Sequence, residues 1–193
     1  MSLRDLVLRN RSYRGYNSER AVSREELLSL IDLARLTPSS ANLQPLRYHP
    51  AWEKEEVSAI QACTHWAASL RDVVRLPMPG QEPTAFIVIC MDERGHESTT
   101  RFLRDVGIAA QTMLLGAAEM GLGGCMIGSF DREKVTALLK LPEGVTPNLV
   151  VAIGEPKENI VLTETVDGQT RYWRSPDLLT HYVPKRPLDE VLV

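Results

Sequence analysis

Aromatic residues make up only 6% of this 193-residue chain, and no block of the sequence interleaves them with basic residues. The stacking and phosphate-binding surface of a nucleic-acid protein is therefore missing, and a formal net charge of −3 argues the same way. Cysteine is equally sparse. Cys63, Cys90 and Cys125 are an odd number without a Cys-x-x-Cys pair, which speaks against a disulfide framework and for reduced thiols in a cytoplasmic setting. His49, His65, His96 and His181 stand far apart and show no metal-ligand spacing. Met1 to Asp5 lacks the apolar stretch of a signal peptide, and no apolar run approaches membrane-spanning length. The expectation is a cytoplasmic protein without a membrane, metal or nucleic-acid partner. Nor can a nucleophile, base and acid be assembled into one catalytic constellation.

Helical and strand patterns alternate along the chain. Leu3 to Arg9 reads as an opening helix with Leu3, Leu6 and Val7 on one face. Ser23 and Glu26 form a capping box ahead of Leu27, Leu30, Ile31 and Ala34, which recur at the spacing of one buried helical face, broadened by Leu28 and Leu33. Leu46 to His49 suits a short strand and Glu53 to Cys63 a helix. Between Trp66 and Pro83 the pattern fails at Pro77, Pro79, Gly80 and Pro83, the composition of a connector, a lid or a binding loop. Thr84 to Met91 is a continuous apolar run suited to a strand buried on both faces. Phe102 to Met120 is the strongest helix, with Val106, Ala109, Ala110, Met113, Leu114 and Ala117 on its apolar face. Asp131 caps a further helix to Leu139, and Asn148 to Ile153 reads as another buried strand.

Gly121-Leu122-Gly123-Gly124-Cys125-Met126-Ile127-Gly128 is not a dinucleotide fingerprint. Glycine is missing at Met126, and the segment leaves a helix to enter a strand, the reverse of the required context. Gly121 ends the helix, and Gly128 is placed to let backbone approach a ligand.

Two polar segments carry the chemistry. Asn10-Arg11-Ser12-Tyr13-Arg14 offers two guanidiniums and a hydroxyl, donors suited to a phosphate or an electron-rich ring edge. Thr37-Pro38-Ser39-Ser40-Ala41-Asn42-Leu43-Gln44-Pro45 is stiffened by proline and carries two side-chain amides that both donate and accept. This pairing across one helix resembles the FMN-dependent nitroreductase family, whose members read Arg-Ser-x-Arg and then Pro-Ser-Ser-x-Asn-x-Gln-Pro.

The resemblance implies an α+β fold: a mixed central β-sheet flanked by helices in three layers, in a single domain of residues 1–193 whose residues 170–193 form an extended C-terminal arm. It implies FMN at a homodimer interface, NAD(P)H as donor, and a small electron-poor acceptor such as a nitroaromatic or quinone. Carried over by position, Arg11, Ser12, Tyr13 and Arg14 would hold the phosphate, ribityl and pyrimidine side. Lys185 and Arg186 would complete the phosphate site. Pro38, Ser39, Ser40, Asn42 and Gln44 would approach the ring from the other subunit, Asn42 and Gln44 also serving their own loop. The backbone at Ile127 and Gly128 would face flavin N5, where the chemistry takes place. Asn10 departs from the second basic residue of many relatives, and Leu46 from the aromatic that often follows Gln-Pro. A specialised flavoprotein of the same fold, such as a reductive dehalogenase or a flavin-consuming enzyme, and a flavin-binding redox sensor are the alternatives.

Overall fold

Capping chemistry sets the first two helices. In the computed structural model, which describes residues 1–96 and 98–193, α1 spans Leu3–Arg9 and α2 spans Arg24–Arg35. Each begins with a capping box, Ser2 with Asp5 and Ser23 with Glu26. Arg20 adds two bonds to Glu26, and that pairing draws the Glu26 carboxyl down to about 2. Leu27, Leu30 and Ala34 are buried, whereas Leu28 and Leu33 lie at the surface, so the buried stripe is narrower than the periodicity predicts. α1 buries none of its residues. Leu3 and Val7 of its expected apolar face are exposed in the single chain, and Leu6 is partly covered.

The remaining helices are α3 (Lys54–Ala62), α4 (Leu103–Glu119) and α5 (Arg132–Leu138), the last capped by the Asp131 side chain. Four strands form the larger sheet: β1 (Leu46–Ala51), β2 (Ala85–Asp92), β3 (Gly123–Ile127) and β4 (Val145–Gly154), in the order β1-β2-β4-β3. All eight residues of β2 are buried, as its unbroken apolar run requires. Alternation along β2 feeds two cores. Ile87, Ile89 and Met91 face Leu30 of α2 and Met113 of α4, while Phe86, Val88 and Cys90 face Ile60 of α3 and Val135 of α5. The result is helix, sheet, helix, an α+β architecture in three layers. Every neighbouring pair of these strands is antiparallel. The parallel character expected of the sheet enters at one isolated bridge, Ser12 to Gly124 on the outer side of β3.

The chain divides into two compact units, Met1–Pro156 and Lys157–Val193, where the sequence predicts one domain with an extended arm from residue 170. The second unit has its own sheet of β5 (Asn159–Glu164), β6 (Trp173–Arg174) and β7 (Thr180–Lys185), in the order β5-β7-β6. β7 runs parallel to β5 and antiparallel to β6. Trp173 and Tyr182 stack with ring centroids 5.2 Å apart, and Arg174 forms a deeply buried ion pair with Glu158. Pairing between strands distant in sequence leaves little local periodicity, which is why the segment reads as irregular. Among the described residues no helix is long and apolar enough to cross a membrane, and no group of His, Cys, Asp and Glu is placed to hold a metal ion.

Candidate functional site

The first polar segment is moulded onto the glycines of β3. Ser12 bridges Gly124, and the Tyr13 N–H donates to the Gly124 carbonyl at 3.0 Å. A Cβ at Gly123 would meet the Tyr13 ring at 2.5 Å, and one at Gly124 would meet the Ala152 carbonyl oxygen at 2.3 Å. Close approach to the rest of the protein is thus required at Gly123 and Gly124. Gly128 is exposed and its missing Cβ would point into open space. The adjacent Gly-Gly pair entering an apolar strand was the available signal.

The side chains of this segment are partly used by their own backbone. Arg11 Nη2 donates to the Val7 carbonyl at 2.6 Å, Tyr13 Oη to the Arg9 carbonyl at 2.8 Å and Arg14 Nη1 to the Ser12 carbonyl at 3.0 Å. Arg11 Nε, however, is buried with no hydrogen-bond partner, and burial pulls the Arg11 guanidinium below its usual value. A half-buried cation with an unmet donor is a site for an anion, and the phosphate of FMN fits it. Asn10 is buried as the C-cap of α1, so its departure from a basic residue has a structural use.

The second segment is built differently. Ser39 Oγ donates to Asp105 Oδ2 at 2.7 Å, Ser40 Oγ to Asp105 Oδ1 at 2.8 Å, and the Ser40 N–H to Asp105 Oδ2 at 2.9 Å. The Gln44 N–H returns to Ser39 Oγ at 3.0 Å. Asp105 sits in the first turn of α4, 3% exposed. Burial raises its carboxyl, but the bonds from Ser39 and Ser40 and the charge of Arg101 outweigh this and hold it below the ordinary value. Sequence reasoning missed Asp105, although a carboxylate one position before Val106, on the buried stripe of an apolar helix, calls for a partner. Ala41, Asn42 and Gln44 all have positive φ, at 51°, 54° and 48°, a conformation costing about 1 kcal/mol or more for each non-glycine residue. Gln44 Nε2 bonds Asn42 Oδ1 at 3.1 Å, so both amides serve the loop. Pro38, Asn42 and Gln44 are exposed. The hollow of about 130 Å³ beneath, lined by Pro38, Ser39, Gln44, Tyr48 and Asp105, holds a few waters and is too small for a flavin ring.

One chain does not bring the two segments together. Leu46, at the foot of the second, lies level with Met91 and Thr146; Ser12 lies level with Gly124 and Ile153. Four strand spacings across and seven residues along the sheet separate them, about 19 Å by about 23 Å. α4 gives the same answer: Asp105 holds one segment at its start, its far end feeds the Gly123–Gly124 platform of the other, and its 17 residues span about 25 Å. Ile127 ends β3 and Gly128 follows it, three and four residues along from the Gly124 that Ser12 bridges. Lys185 and Arg186 belong to the second unit, at the end of β7, where Arg186 Nη1 pairs with Glu190 Oε2 at 3.1 Å and the Lys185 side chain is exposed.

Cys63, Cys90 and Cys125 form no disulfide and are buried, and burial pushes the Cys90 thiol up to about 11.

Known proteins resemble this chain in sequence and in fold. An FMN reductase (NADPH) of Bacillus subtilis is 28% identical over 167 residues, covering 79% of this chain and 65% of that one. An oxygen-insensitive NADPH nitroreductase of Helicobacter pylori is 27% identical over 165 residues, covering 71% and 79%. The crystal structure of a nitroreductase family protein from Clostridium difficile 630 superposes with a TM-score of 0.69 over all of this chain and 98% of that one, at 22% identity. Residues 7–155 match the Nitroreductase family itself, and the chain belongs to that family.

Proposed function

We propose that the protein is an FMN-dependent NAD(P)H oxidoreductase that reduces an electron-poor acceptor, a nitroaromatic or a quinone, as a cytoplasmic homodimer with a flavin at the interface. The family and the names of the relatives support the enzyme class and the cofactor. The observation that carries the shared site is the separation of the two segments to distant corners of the sheet. A flavin mononucleotide, even extended, does not bridge that distance, so a second copy supplies the missing half.

Bound FMN supplies hydride acceptance from the nicotinamide and its transfer onward. The chain's own work is binding and orientation. Arg11, with its unmet Nε–H, takes the phosphate, and Ser12, Tyr13 and Arg14 fix the polar face beside the Gly123–Gly124 platform. Ile127 and Gly128 present backbone at the end of β3. From the partner copy, Pro38, Ser39, Ser40, Asn42 and Gln44 form a stiff cover whose shape Asp105 maintains. Lys185 adds charge for the phosphate more readily than Arg186, which Glu190 already engages. The exposed Leu3 and Val7 of α1 and Leu103 and Ile108 of α4 supply apolar surface for such a pairing.

The test is complementation. Acid release from the purified protein should give FMN and not FAD. Arg11→Ala should weaken FMN binding at least tenfold, as loss of a charge-assisted bond does. A mixed dimer of an Arg11→Ala chain with an Asn42→Pro chain concentrates both lesions in one site and restores about half of wild-type activity. A sedimenting monomer that retains FMN and turns over would overturn the shared site. Bound flavin that neither nicotinamide reduces would favour a binding module instead.

A further inference from the structure

The stretch after α3, irregular in sequence, encloses the largest hollow described in the first unit. A half-open cavity of about 850 Å³ is lined by Gln61, Thr64, His65, Trp66, Arg71 and Arg75, with Pro77, Pro79 and Glu82 from the proline-rich stretch. That volume accommodates a substituted aromatic ring. Its wall is fastened to the turn that follows β3: Thr64 bridges Phe130, and the His65 N–H donates to the Ser129 carbonyl at 2.9 Å. The Thr64–His65 wall of the cavity is thus held against Ser129 and Phe130, the residues that follow Gly128, where the proposed function places the reacting end of the flavin.

The lining has a definite chemistry. Trp66 Nε1 donates to Thr64 Oγ1 at 2.8 Å, which holds an aromatic face at the wall. Arg71 and Arg75 are exposed, and neither makes an ion pair among the described residues. Glu82 is the one carboxylate in the lining, so two guanidiniums outweigh a single negative charge. Gln61 Oε1 is buried without a hydrogen-bond partner, an acceptor that only a hydroxyl or amino substituent on a ring would satisfy. Unpaired arginines four residues apart beside an aromatic wall match a planar compound with an anionic group.

We infer that the acceptor is an anionic aromatic compound, its carboxylate held by Arg71 and Arg75 and its ring lying against Trp66. This rests on the proposed function for the redox step and adds the substrate's charge. With a nitrobenzoate, NAD(P)H gives up hydride and becomes NAD(P)⁺. The nitro group gains those two electrons with two protons, one from the hydride and one from solvent, and loses an oxygen as water to leave the nitroso compound.

The probes are 4-nitrobenzoate and the neutral, near-isosteric 4-nitrobenzamide, titrated calorimetrically into the oxidised holoenzyme and then compared as acceptors at saturating NAD(P)H. Nitrobenzoate should bind about tenfold more tightly, as a charge-assisted contact allows. In Arg71→Gln/Arg75→Gln the ratio of the two affinities should fall to near one, with the KM ratio following it. Should that variant fold poorly, the wild type decides: salt must weaken nitrobenzoate binding and leave nitrobenzamide binding unchanged. Equal binding in the wild type, a preference that survives the double variant, or a variant effect confined to the KM of NAD(P)H would overturn the inference, the last assigning the arginines to the donor's phosphates. Failure of the protein to hold FMN or to accept hydride would refute the proposed function instead, since the binding preference is read without turnover.

Discussion

Arg11–Arg14 and Pro38–Gln44 are both short polar runs, but they spend their hydrogen bonds differently. The first docks by backbone on a glycine platform and leaves a buried Arg11 donor unmet. The second gives both serine hydroxyls and a backbone N–H to Asp105, three bonds that hold a loop with three left-handed residues. Polar residues in a motif can thus act as ligands or as architecture, and burial and partner lists separate the two where composition does not. In the single chain the serine hydroxyls are spent on the loop's own architecture. What they offer a ligand is the shape of the loop.

Breaking that architecture should produce the largest effect. Asp105→Ala leaves two hydroxyls and the strained loop without an anchor and should cost about 2–4 kcal/mol in urea unfolding. FMN should be lost with it. A stability within experimental error of wild type would return the serines to the ligand.

The platform of the other segment is tested by Gly124→Ala, whose methyl group meets the Ala152 carbonyl and the Leu114 side chain. Overpacking of this kind costs about 1–3 kcal/mol. Thermal melts should show the loss, and flavin affinity should fall with it because Tyr13 takes its register from Gly124. Gly128→Ala, facing open space, should leave the melting temperature nearly unchanged.

The smallest effect sharpens the contrast through pH. Asp105 is held below the ordinary 3.8 in the folded protein, so its contribution is fully present above that unfolded value. It is lost as pH falls below 3.8 through the folded value. Glu26, at about 2, declines in an overlapping window, so the readout is the difference between wild type and Asp105→Asn in urea midpoint from pH 5 to 3. The variant should lose less stability than the wild type across that range. Parallel curves would show that the carboxylate does not titrate with the fold.

Much of the first unit is legible from local pattern. The Ser23 capping box, the bounds of α1 and the fully buried β2 follow from spacing alone, because their causes lie within a few residues. The bond between Ser39 and Asp105 joins residues 66 positions apart, and no local pattern encodes it. The three-stranded sheet of the second unit stayed hidden for the same reason: β5 and β7 pair across the β6 turn, and their side chains are mostly half-exposed. Which glycine tolerates no side chain depends on what stands 2.3 Å from Gly124, and no residue type carries that information.

The strand order also bears on how the protein behaves at high concentration. An antiparallel sheet that ends in β1 and β3 has two rims on which a foreign strand could grow, the first step of aggregation. At β3 the Ser12 bridge and the Tyr13 N–H occupy that rim. At β1 the sequence Leu46-Arg47-Tyr48-His49-Pro50-Ala51 places a proline without an N–H and a charged arginine in the edge strand, two devices that interrupt a growing ladder. The segment proposed to hold the ligand therefore also guards the sheet, and a chain lacking residues 1–14 or altered at Pro50 should scatter light on warming before it loses its circular dichroism.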